Sequence, residues 1–216
     1  MKNNIIHVVR KIGISTVFGL LSFNFDVDAA LDARKIFELA RNPNANINPI
    51  RCIGEYALMN LLRIVNDHGE TPLVVAAASG QTAFVRLVMR KTDPGRLIGL
   101  RMFQQALEYA ICGGNREIAD LMVDRIVGNP TLLYGVLGSQ ITNGSKPIFH
   151  VLAEAGWLDL LTTIFNAFVR YPDLVFGLLN MQDGNGRNSF DVEGENVREL
   201  LRGRLASLGH FVNAVN

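Results

Sequence analysis

Residues 69–90 read GETPLVVAAASGQTAFVRLVMR, and the three consecutive alanines in that stretch limit what the chain can fold into. Alanine is the best helix former, yet its methyl group is too small to fill an ordinary core, and the run is too apolar for a solvated helix face. Thr71 is a favoured N-cap residue and Pro72 suits the first helical position, where no amide proton is needed. Gly80 supplies the stop, because the residue after a helix commonly adopts a left-handed conformation that glycine takes without strain. The spacing therefore predicts a short helix whose alanine face lets its backbone approach a neighbouring layer closely. A second helix, about residues 83–90, would bring Phe84, Val85, Leu87 and Val88 into a shared core. Burial of Leu87 contributes about 1.5–3 kcal/mol and burial of an alanine far less, so Ala76 and Ala77 set distance more than energy.

The same pattern recurs. Residues 106–123, ALEYAICGGNREIADLMV, repeat it without the Thr-Pro pair, and Gly114 lies 34 positions after Gly80. A third copy, KPIFHVLAEAG at residues 146–156, places Gly156 42 positions after Gly114, so this unit carries an insertion. Residues 180–201, NMQDGNGRNSFDVEGENVRELL, supply a turn and a helix start but lack the double alanine, as a terminal cap does. The spacing TPLxxAAxxGxxxxVxxLL in the first copy resembles the ankyrin repeat, whose period is about 33 residues. Val74 stands where that family usually has histidine, whereas His150 of the third copy restores it. The resemblance implies an all-α solenoid of helix-turn-helix units, four to five including the caps. Its divisions are an N-terminal cap at 30–65, repeats at 66–99, 100–140 and 141–179, and a C-terminal cap at 180–208, within a single domain spanning 30–216. Two cap helices are expected near 30–41 and 53–65, separated by the turn-rich NPNANINP.

The first 29 residues stand apart. Lys2, Arg10 and Lys11 precede residues 12–25, IGISTVFGLLSFNF, which carry no charge. With small or β-branched residues before a cut after Ala29, this reads as a secretory signal peptide, with a buried first helix as the alternative. Fourteen uncharged residues are too few to span a bilayer, which needs about 20. A cleaved leader implies export to the periplasm or the medium; without one the chain stays in the cytoplasm.

With 49% apolar and 19% charged residues the chain can bury a substantial core. Its 21 basic and 20 acidic side chains give a net charge of +1, so no global field draws it to nucleic acid or an anionic membrane. Cys52 and Cys112 are too few for a disulfide framework and are expected to be buried thiols. His7, His68, His150 and His210 have no partner at metal-ligand spacing. His150 is expected to bond backbone between units, His68 to sit exposed on a turn, and Trp157 to pack in the core. No nucleophile elbow, zinc-protease or phosphate-loop motif occurs. The expectation is a monomeric, non-catalytic chain without cofactor or metal.

Ankyrin-like arrays bind proteins through their turn tips, or fingers, and the concave face of the first helices. Carried over position by position, the resemblance places Asp67, His68, Glu70, Ala78 and Ser79 of the first unit on that surface. It adds Arg101, Met102, Gln104 and Cys112 of the second unit, Asn143, Lys146 and Glu154 of the third, and Asn185 and Arg187 of the fourth. The expected function is binding of a partner protein, as an exported bacterial adaptor, inhibitor or effector. The alternative is a structural or chaperone-like accessory subunit of a periplasmic or membrane-associated assembly.

Overall fold

The computed structural model describes residues 32–92, 99–140, 146–191 and 194–215, with side-chain surroundings through residue 207. The leader expected over residues 1–29 lies outside the described residues, as does Asn143. Among the described residues every regular element is helical and no strand occurs. In chain order the helices are α1 (Ala33–Arg41), α2 (Asn48–Cys52), α3 (Glu55–Leu62), α4 (Pro72–Ala78), α5 (Thr82–Lys91) and α6 (Leu100–Cys112). There follow α7 (Arg116–Ile126), α8 (Pro130–Leu137), α9 (Ile148–Ala155), α10 (Leu158–Ala167), α11 (Pro172–Asn180), a 3-10 turn (Ser189–Asp191) and α12 (Glu195–Val215).

The helix beginning at Pro72 forms for the reasons its sequence states. The Thr71 hydroxyl accepts from the Val74 amide at 3.4 Å, and Gly80 follows the helix with a φ of 73°. Ala76 and Ala77 are fully buried. They lie on the face that lets α4 pack between α1 and α6. The packing continues from α6 to α9 and from α9 to the 3-10 turn, so the first helices of successive units form one continuous layer. α5 packs on α7 behind it. Phe84, Phe103, Phe149 and Phe168, one or more from each of the three repeats, fill the shared core with no solvent exposure.

Two side-chain devices join each of the first two repeats to the unit before it. The residue after the unit's glycine reaches back to the end of the preceding first helix: Gln81 Nε2 donates to Asn42 O at 2.6 Å and Leu39 O at 3.3 Å, and Asn115 Nδ2 donates to Ala77 O at 2.8 Å and Ala78 O at 3.0 Å. Behind the layer, Lys91 Nζ donates to Arg51 O and Ile53 O, and Arg125 Nε, 34 positions later, donates to Met89 O. These donors satisfy carbonyls that helix ends leave without intrahelical partners.

The insertion that lengthens the spacing from 34 to 42 residues is a helix, and it occurs twice. Residues 130–137, PTLLYGVL, and residues 172–179, PDLVFGLL, align at a spacing of 42 with the same proline, glycine and two leucines in place. They form α8 and α11, each with proline in its first turn. The two pack on each other, and a Cβ placed on Gly177 would lie 2.8 Å from the Tyr134 hydroxyl, so glycine there is what admits the tyrosine. Helix α2 also corrects the expectation, since it arises inside the segment read as turn, with Pro49 at its start.

Candidate functional site

The first and last fingers are built alike. Asn66 Oδ1 accepts from the amides of His68 and Glu70, both at 2.9 Å, while Asn66 N donates to Glu70 O at 2.9 Å. At the other end of the array Asp183 Oδ1 accepts from the amides of Asn185 at 2.8 Å and Arg187 at 3.0 Å, while Asp183 N donates to Arg187 O at 2.8 Å. Gly69 and Gly186 occupy the same place with φ of 74° and 75°, which is why each turn carries glycine there. The Arg187 guanidinium forks onto Asp183 Oδ2 at 2.9 and 2.8 Å. Burial by itself raises the Asp183 carboxyl, but the amide and guanidinium donors from Arg187 and Asn185 outweigh it and hold the group at about 2.

These turns leave Asp67, His68, Asn185 and Arg187 exposed and Glu70 half-buried. On the helices between them Ala78, Cys112 and Glu154 are exposed, and beside those helices Ser79 and Lys146 are half-buried. Lys146 Nζ lies 2.6 and 2.8 Å from the two carboxylate oxygens of Glu154. Arg101 is exposed and Met102 half-buried, but not on a finger. The LRMFQQ segment, lacking the Asx-glycine turn and rich in strong helix formers, is instead the first half of α6. Gln104 consequently turns inward: it is 8% exposed and donates to Gly135 O at 3.1 Å. Both cysteines are exposed thiols and not buried ones, because each stands at the end of a helix, past its last core-facing turn.

Tyr109 joins this surface without having been expected there. It is half-buried, and its hydroxyl is raised by burial, then by the carboxylates of Glu70 and Glu108 and by Cys112. Alignment at the two unit spacings pairs it with Val75 and Val151, and this was the signal available. The Cys112 thiol is raised by burial, then by Glu108 and Glu154, with Lys146 opposing. The strip is thus continuous from the first finger across α4, α6 and α9 to the last finger.

His150 anchors the far end from below. It is 2% exposed, and its Nε2 lies 2.7 Å from Met181 O, which fixes Nε2 as the donor. Burial lowers its pKa, against the Met181 carbonyl and the charges of Asp183 and Glu154. A cavity of about 10 Å³ bounded by His150, Glu154, Asp183, Arg187, Asn188 and Asp191 has room for about one water. Among the described residues no group of three or more His, Cys, Asp or Glu is placed to hold a metal, and no helix is long and apolar enough to cross a membrane. Trp157 is half-buried against the core at the start of α10. Of the arginines near the C-terminus, Arg198 and Arg202 pair with Glu195, and Arg204 lies over the Phe165 ring.

No protein-family model matches the chain, and no curated protein matches it at a significant level.

Proposed function

We propose that the chain is an ankyrin-type array that binds a partner protein, without catalysis, through its two fingers and the exposed strip of α4, α6 and α9. The observation that carries this reading is the repeated finger: Asn66 and Asp183, 117 positions apart, organise the same turn and point their side chains into it. Turns held this rigidly by their own side chains lose little freedom on binding, which favours recognition by the residues they display. Export through a cleaved leader belongs to the same proposal. An intact Met1 on exported protein, seen by mass spectrometry, would remove it.

The test is site-specific photocrosslinking in the native host, with the reactive residue at Ala78 or Glu154 on the strip and at Arg90 or Asp124 behind it. Adducts to one partner from the strip positions alone are the expected result. Adducts from Arg90 or Asp124 alone would sink the reading. A second reading, an accessory subunit of an assembly, is favoured by the exposed Val169, Tyr171 and Phe176 near α11. It requires adducts from Phe176 in place of the strip.

A further inference from the structure

The strip carries an unbalanced charge. Two of its cations are already engaged, Lys146 by both oxygens of Glu154 and Arg187 by Asp183. Arg101 stands eight residues before Tyr109, about 12 Å away along α6. Glu70, by contrast, receives the neutral side-chain amide of Asn66 at 2.9 Å, and Asp67 beside it is exposed. Asn115, just past α6, bonds the carbonyls at the end of α4. The two helices therefore end side by side. Tyr109 is half-buried in the last turn of α6, the helix packed on α4, and the Glu70 carboxylate is close enough to raise its hydroxyl; Ala78 and Ser79 at the end of α4 carry small side chains.

Resting on the partner-binding role proposed above, we infer that the strip receives a basic segment of the partner, with an arginine guanidinium stacked on the Tyr109 ring and paired with Glu70. The planar guanidinium matches both an aromatic face and a carboxylate. An acidic segment would meet Asp67 and Glu70 with like charge, and an apolar one would strip water from Glu70 without replacing it.

The experiment titrates the full chain with three terminally blocked peptides that alternate alanine with arginine, glutamate or leucine, followed by NMR shifts. The expected result is binding of the arginine peptide alone, weakened severalfold between about 50 and 300 mM salt. Tyr109→Leu and Glu70→Gln should each weaken it by about threefold or more, with circular dichroism unchanged. Binding of the glutamate or leucine peptide that depends on Tyr109 would overturn the basic-segment inference while keeping the strip as a binding face. Arginine-peptide binding indifferent to both substitutions would overturn the strip assignment as well. No binding of any peptide overturns the inference and leaves the crosslinking test of the proposed function standing.

Discussion

Asn115 holds the end of α4 from the next unit, its side-chain amide 2.8 Å from the carbonyl of Ala77 and 3.0 Å from that of Ala78. Gln81, fully buried, does the same for α1. Removing such a donor leaves helix-end carbonyls without their partner, so Asn115→Ala and Gln81→Ala should each destabilise by about 1–3 kcal/mol. The buried Gln81 should lie at the upper end. Urea unfolding measures this, with exposed Asp124→Ala as a control within about 0.5 kcal/mol of wild type.

The same bond makes one glycine more demanding than another. Gly69 and Gly80 share a positive φ, 74° and 73°, but a Cβ on Gly69 meets nothing within 4 Å, whereas on Gly80 it would lie 2.9 Å from Asn115 Oδ1. Gly69→Ala should cost about 1–2 kcal/mol from the backbone alone. Gly80→Ala should cost about 1 kcal/mol more. In an Asn115→Ala background that excess should vanish, and a double-mutant cycle in urea reads it directly. An unchanged excess would place the strain elsewhere.

Ala77 and Ala78 are adjacent and differ in the one respect that matters to packing: Ala77 is fully buried between layers and Ala78 is exposed. Ala77→Leu should therefore destabilise by about 1–3 kcal/mol through overpacking. Ala78→Leu should leave the melting temperature nearly unchanged. A melt of Ala77→Leu at or above wild type would contradict the close approach of α4 to its neighbours.

What could be read in advance were features whose cause is local. Thr71, Pro72 and Gly80 bound a helix through backbone chemistry within a few residues, and they do so here. The burial of Phe84, Val85, Leu87 and Val88 follows from periodicity alone. Helices α8 and α11 escaped because their 42-residue correspondence is hidden by the 34-residue spacing of the preceding units. Each is short enough to resemble an apolar loop until Pro130 is set beside Pro172 and Gly135 beside Gly177. Gln104 was assigned outward because a finger was expected before Ala106; with no turn residue to break it, the helix simply starts earlier. Tyr109 depends on which units lie side by side, and no local rule states that.

His150 makes the C-terminal end of the helical layer sensitive to acid. Burial holds the imidazole neutral against the opposing influence of Met181 O, Asp183 and Glu154, so its folded pKa lies below the ordinary value of about 6.5. The unfolded chain then binds the proton more readily, and the stabilising contribution, complete above about pH 6.5, falls away as pH descends toward the folded pKa. The Asp183 carboxyl, at about 2, remains ionised throughout that range and adds nothing to it. The Arg187 guanidinium, raised further by its bond to Asp183, stays charged there as well. Wild-type stability in urea should decline as pH falls below about 6.5, with a shallower slope in His150→Gln, whose amide can still donate to Met181 O. Hydrogen exchange should show that the amides of Asp183 and Gly186, which close the last finger, lose protection before those of α4. Equal slopes for wild type and His150→Gln would mean that another group governs the acid response.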